Sequence, residues 1–359
     1  MIDETTGQMH VLALQSANKF TSRETSPRAP ALCTHNENLY IAWKGDGNDN
    51  LNVARVQITG NKVTGLVNKV TLADTSPMSP TLASLNGRLF IGWKGDGNDN
   101  LNVMYSADNG KTFGNKFTSP ETSPQAPALC AHDGALYITW KGDGNDNLNV
   151  AQVQIAGTKI TGFANKVTLG DTSPLSPTLA SFNGRLYIGW KGDGNDNLNV
   201  MYSADNGKTF GNKFTSPETS PQAPSLSAHN RDLYITWKGD GNDNLNVAIV
   251  RISGNAITGL GSKVTLGDTS PVSPALASLN GELFVGWKGD GNDNLNVMGL
   301  PGSRQCPERE HWRGFEYHRA LRSRRCRPSH VQRYLARSER RSEPGTRLGV
   351  CYVCGFSGL

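Results

Sequence analysis

Six times the chain spells the same eleven residues, Trp-Lys-Gly-Asp-Gly-Asn-Asp-Asn-Leu-Asn-Val, beginning at Trp43, Trp93, Trp140, Trp190, Trp237 and Trp287. The spacing alternates between 50 and 47 residues. A fixed period in this range marks a repeat architecture, in which each unit is one supersecondary element that buries its apolar face only against its neighbours. The 359 residues therefore read mainly as one closed array rather than as two or three separate domains. A hydrophobic content of 36%, with 40 glycines and 18 prolines, fits many short strands joined by tight turns.

Counted from Asn-Lys-Phe/Val, the units begin at Asn18, Asn68, Asn115, Asn165, Asn212 and Ser262. The second unit shows how each one folds. Pro80 to Leu85 is a short apolar strand, and Asn86-Gly87 is a two-residue hairpin turn in which both residues tolerate positive φ. Arg88 to Trp93 is apolar almost throughout, as a strand covered on both faces is. Lys94 to Asn100 is a polar turn, Leu101 to Tyr105 is the third strand, and the last strand is expected from Lys111 to about Phe117. Four antiparallel strands in under 50 residues, six times over, predict an all-β fold: a six-bladed β-propeller. The sixth unit leaves the pattern after Met298, so its outer strand is expected from the N-terminus, within His10 to Thr21, and the propeller from residues 1–298.

The shorter units carry a second motif. Ser106-Ala107-Asp108-Asn109-Gly110-Lys111-Thr112-Phe113 and Ser203-Ala204-Asp205-Asn206-Gly207-Lys208-Thr209-Phe210 follow the pattern S-x-D-x-G-x-T-[WF]. Ser, Asp and Thr can cap backbone groups of a turn, Gly permits positive φ, and the aromatic can pin the hairpin to its blade. Through Ser106, Asp108, Gly110, Thr112, Phe113 and their counterparts Ser203, Asp205, Gly207, Thr209 and Phe210, the chain resembles the sialidase-type Asp-box (BNR) propellers, with Phe in place of the usual Trp. The resemblance extends to non-catalytic propeller lectins. The longer units replace the box by a longer hairpin such as Ile58 to Val63.

In such a propeller the eleven-residue turns share a face with the inter-blade segments, opposite the Asp boxes. The ligand-binding candidates are thus Trp43, Lys44, Asp46 and Asp49, then Trp93, Lys94, Asp96 and Asp99, then Trp140, Lys141, Asp143 and Asp146. Their counterparts are Trp190, Lys191, Asp193 and Asp196, then Trp237, Lys238, Asp240 and Asp243, then Trp287, Lys288, Asp290 and Asp293. These donors and acceptors suit sugar hydroxyls, and Trp can stack on a pyranose ring. The competing reading is structural: a tight hairpin needs Gly-Asp-Gly-Asn-Asp-Asn, and Trp is a wedge between blades.

A non-catalytic, multivalent carbohydrate-binding module is the function expected, with glycans or a protein surface as partner. A protein-interaction scaffold and a sialidase-like glycoside hydrolase are the alternatives. The resemblance implies, for the hydrolase, an arginine cluster, a Tyr–Glu nucleophile pair and an Asp acid/base. Yet an [FY]-R-[IL]-P motif is missing and no unique acid or base breaks the near-identity of the units. No catalytic residue and no metal ligand is assigned, and no cofactor is expected. Calcium enters only because Gly-Asp-Gly-Asn-Asp-Asn-Leu is similar to half of an FG-GAP calcium loop, whose earlier ligand positions are here Ala42 and Lys44.

The net charge of +5 averages two unlike parts. Residues 299–359 hold 13 Arg, no Lys and 5 Glu, leaving the repeats at −3 with interleaved signs and no footprint for nucleic acid. This tail reads as a disordered or frame-shifted extension. Its Arg runs (Arg322 to Arg327, Arg337 to Arg341) suggest an acidic partner, and Cys351-x-x-Cys354 with His311, His318 or His330 suggests zinc, but a second cysteine pair is missing. Cys33 and Cys130 occupy equivalent repeat positions and read as small buried residues rather than a disulfide. No stretch reaches the ~18 apolar residues of a membrane span, and no secretory signal is visible, so a soluble chain is expected, with an extracellular role left open.

Overall fold

The computed structural model describes residues 19–300. They form six four-stranded antiparallel sheets, each a blade. Blade 1 runs Ala31–His35, Asn38–Lys44, Asn50–Thr59 and Lys62–Thr75; blade 2 runs Thr81–Leu85, Arg88–Lys94, Asn100–Ser106 and Gly114–Thr122. Blades 3 to 5 repeat the order, and blade 6 contributes Ala275–Leu279, Glu282–Lys288 and Asn294–Leu300. The first strands of neighbouring blades touch in a ring, blade 6 against blade 1 included, so the first strand of each blade is the innermost. The molecule is the six-bladed propeller expected.

Closure uses the N-terminal strand, as anticipated. Lys19–Thr25 pairs antiparallel with Asn294–Leu300, placing Phe20 opposite Val297 and Thr21 opposite Asn296. The strand runs four residues past the expected Thr21, and the expected part from His10 to Asn18 lies outside the described residues, as does the basic tail. The fourth strand of blade 2 also starts later than expected, at Gly114 instead of Lys111, because Lys111, Thr112 and Phe113 remain in the Asp-box turn.

Local chemistry sets the turns. Asn86 and Gly87 both take positive φ (48° and 73°), and Asp133-Gly134, Asn183-Gly184 and Asn280-Gly281 do the same, the geometry of two-residue hairpins. Asn68, Asn115, Asn165 and Asn212, which open the second to fifth units, and Ser262, which opens the sixth, sit at positive φ as well (Asn68 54°, Asn115 54°), next to the register shifts that bend the outer strands. In the Asp box, Asp108 Oδ1 accepts the N–H groups of Lys111 and Thr112, Oδ2 accepts the Thr112 hydroxyl at 2.6 Å, and Ser106 Oγ accepts the N–H of Gly110. The same network surrounds Asp205, whose carboxyl is lowered to about 2, chiefly by the Thr209 hydroxyl and then by the Thr209 N–H and Ser203.

The blades meet through sheet faces, and the seams alternate. From odd to even blades a buried histidine reaches across: His35 to Ser84, His132 to Ser181 and His229 to Ser278, at 2.8 to 2.9 Å. From even to odd blades a leucine of the inner strand fills the space above a glycine, Leu129 on Gly92, Leu226 on Gly189 and Leu32 on Gly286. The ring thus has threefold pseudo-symmetry with a two-blade repeat. Cys33 and Cys130 are free, half-buried thiols of inner strands, and burial pushes both up to about 12.

Candidate functional site

The eleven-residue motif ends the second strand of a blade, turns, and begins the third. In blade 1 the Trp43 indole is 1% exposed and packs into a core with Leu295 and Val297 of blade 6. All six motif tryptophans share this burial. The stacking role expected for Trp43, Trp93, Trp140, Trp190, Trp237 and Trp287 does not fit it, because the neighbouring blade and a lysine cover the ring. Lys69 Nζ lies 5.5 Å from the Trp43 ring centroid and pairs with Glu24 of the preceding blade. The same arrangement occurs in every seam: Lys116 over Trp93 with Asp74, Lys166 over Trp140 with Glu121, Lys213 over Trp190 with Asp171, Lys263 over Trp237 with Glu218, and Lys19 over Trp287 with Asp268.

The motif lysine is buried too. Lys44 pairs with Asp49 across its own turn, as do Lys94 with Asp99, Lys141 with Asp146, Lys191 with Asp196, Lys238 with Asp243 and Lys288 with Asp293. Asp49 stands at φ 58° and its carbonyl accepts the N–H of Ser76, which ties the turn to the following inter-blade segment. Asn48 Oδ1 accepts the Asn50 N–H, and Gly45 donates to the Asn50 carbonyl at 2.8 Å. Asn50 Nδ2 donates to Leu72 O and Asn52 Oδ1 accepts the Thr71 hydroxyl, so both asparagines fasten the outer strand. Leu51 and Val53 are core. Lys44 and its counterparts already set a cation against the Asp49-type carboxylate of each turn. Among the described residues no group of three or more His, Cys, Asp and Glu converges.

One residue of the motif stays outside this scaffold. Asp46, with Asp96, Asp143, Asp193, Asp240 and Asp290, is exposed and accepts a single hydroxyl from the preceding inter-blade strand, at 3.2 to 3.4 Å. The donors are Thr25, Thr75, Thr122, Thr172, Thr219 and Thr269, which sequence reasoning left unassigned although each follows an acidic residue before Ser-Pro. No cation pairs with these six carboxylates among the described residues. Each seam therefore presents a carboxylate, a threonine hydroxyl, a half-exposed Asp49-type carboxylate and a Lys–Glu or Lys–Asp pair. In each seam two of these lysines stand against three carboxylates, a balance of −1 that only the first seam escapes, because Arg23 and Arg28 stand exposed on either side of Glu24 and Thr25 there.

At the axis the same face opens into a cavity of about 220 Å³. Its wall is a sixfold ring built on Pro30, Pro80, Pro127, Pro177, Pro224 and Pro274, completed only by Ala, Leu, Ser and Thr. It contains no titratable side chain. Arg88 and Arg185 instead lie at hairpins on the opposite face, reaching Gly157 and Gly254.

No family model matches the chain, and no curated protein does. Solved structures share its fold. It is similar to Trypanosoma rangeli sialidase in complex with the inhibitor DANA at 15% identity, TM-score 0.53, over 78% of this chain and 55% of that one. A Hadza microbial sialidase aligns at 14% identity, TM-score 0.57, over 78% of this chain and 66% of that one. A neuraminidase-like protein of A/little yellow-shouldered bat/Guatemala aligns at 8% identity, TM-score 0.52, over 80% and 98% of the two chains. The chain thus spans little more than half to two thirds of the length of the two sialidases. At these identities the likeness is one of fold.

Proposed function

We propose that the chain is a non-catalytic, multivalent binder of neutral carbohydrate, acting through the six seams of the motif face. The observation that carries this reading is the sixfold repetition of an exposed, cation-free Asp carboxylate beside a Thr hydroxyl, from Asp46 with Thr25 to Asp290 with Thr269. A carboxylate accepting two adjacent sugar hydroxyls is a charge-assisted contact, and a hydroxyl beside it can donate or accept as the sugar requires. The net negative charge of the five seams other than the one flanked by Arg23 and Arg28 repels anionic sugars and favours neutral ones. Weak single sites gain from sixfold presentation through effective concentration when a glycan-bearing surface spans several seams.

The fold shared with sialidases keeps a hydrolase as the second reading, and the chemistry of the face speaks against it. General acid–base or nucleophilic catalysis needs titratable groups at the reaction centre, and the axial cavity has none. Calcium is not part of this reading, since a buried lysine already neutralises the Asp49-type carboxylate in each turn. A glycan array probed with the whole chain tests the proposal: saturable binding to neutral glycans, competed by free sugar, is expected, and silence across the array sinks it. Turnover of a fluorogenic sialoside would replace it by the hydrolase.

A further inference from the structure

On the face that carries the Asp boxes, a groove of about 540 Å³ runs between blades 2 and 3. Leu85 and Ile155, both half-buried, give it apolar walls above a floor of buried Phe90, Leu136 and Val153, while Asn86, Gln152 and Gln154 supply amides. Arg88 is its only charged lining residue. The guanidinium lies 4.7 Å from the Tyr105 ring centroid and donates one N–H to Gly157 O at 2.8 Å. Among the described residues no carboxylate pairs with it. Stacking and one hydrogen bond hold the group in place, and a guanidinium has five N–H donors.

The other two seams of this class differ, though the chain is otherwise nearly periodic. Between blades 4 and 5, Arg185 stacks on Tyr202 in the same way, but its terminal nitrogens are taken by Gly254 O at 3.2 Å and Asn255 Oδ1 at 2.6 Å, and Asp232 stands where blade 3 has Ala135. Between blades 6 and 1, Glu282 and Gly299 replace Arg88 and Tyr105. An arginine whose guanidinium is met by a single carbonyl therefore lines one groove of the three.

We propose that the groove between blades 2 and 3 is a second ligand site, for a carboxylate carried on a sugar ring, a uronic acid unit. The Arg88 fork donates to the carboxylate in the bidentate manner that guanidinium geometry favours. The amides of Asn86, Gln152 and Gln154 reach the ring hydroxyls, and the apolar walls take the C–H face of the ring. The site lies on the opposite face from the Asp46-type seams and selects the opposite charge, so the two readings stand or fall separately.

Titration of the full-length, ¹⁵N-labelled protein with sodium glucuronate and with methyl glucoside, followed at the arginine Nε–H signals, tests this. Glucuronate should shift the Arg88 signal saturably and the neutral glucoside should not. Arg88→Gln should weaken glucuronate binding about tenfold or more, the worth of a charged hydrogen-bonded contact. Arg185→Gln removes the same aromatic stacking from the other seam and should leave glucuronate affinity unchanged. Should Arg88→Gln fail to fold, Arg88→Lys keeps the charge without the fork and is expected to weaken binding as well. Equal binding of glucoside and glucuronate, or unchanged affinity in a folded Arg88 variant, overturns the proposal.

Discussion

At the scale of single residues, ten of the eleven motif positions have a structural reason to be what they are, Gly47 through its positive φ of 79° in the turn. Gly45 shows how tight the turn is: a Cβ placed there would stand 2.3 Å from Asn48 Oδ1, the atom that holds the Asn50 N–H. Gly45→Ala should therefore cost about 1–3 kcal/mol in urea unfolding by displacing that side chain, while an exposed substitution such as Asp46→Asn should cost less than about 0.5 kcal/mol. Acid should act through two sets of groups. Burial lowers His35 and His229 from the ordinary 6.5, so the folded state holds them neutral, and the stability tied to them is present above 6.5 and lost as pH falls below it. Hydrogen bonds lower Asp205 from 3.8 to about 2, so its contribution is complete above the ordinary carboxylate range and disappears as pH falls through about 2. Urea midpoints measured from pH 8 to pH 2 should fall in these two stages; a flat profile down to pH 4 would refute the histidine part. The structural reading of the tryptophans as wedges between blades agrees with their burial; what the chain did not show is what covers them, Lys69 and Leu295 of another blade in the case of Trp43.

Among elements, the strands were legible because their ends are written in residues that only turns require. Asn-Gly pairs, the Gly-Asp-Gly-Asn-Asp-Asn loop and the Ser-Pro-x-x-Pro segments each mark a chain reversal. The start of the fourth strand was misplaced for the same kind of reason: Asp108 holds Lys111 and Thr112 in the turn, and a capped turn ends only where its capping bonds end. Seam partners were illegible, because Lys69 meets Glu24 and Lys116 meets Asp74 across 45 and 42 residues. Closure hangs on one strand. Removing residues 1–25 would leave Asn294–Leu300 as an open edge and take Lys19 from Trp287, and it should abolish the single cooperative unfolding transition and promote association. A truncated chain that stays monomeric and melts as sharply as the whole would show that the ring does not depend on this latch.

For the whole molecule, threefold pseudo-symmetry in the seams coexists with sixfold equivalence on the motif face. His35–Ser84 and Leu129–Gly92 contacts alternate around the ring, yet Asp46 and its five counterparts meet the same threonine in every blade. Core packing has thus diverged between alternate blades while the exposed carboxylate has not. The propeller and the location of its polar face could be read from the period and the Asp boxes; which motif atoms remain available to a ligand could not, because that depends on burial by the adjoining blade. The stoichiometry of saturation with a neutral monosaccharide, by calorimetry on the full chain and on the variant with all six Asp46-type residues changed to Asn, tests this account most directly. Six equivalent sites in the native protein and none in the variant are predicted; a single site, or binding that survives the six substitutions, would contradict it.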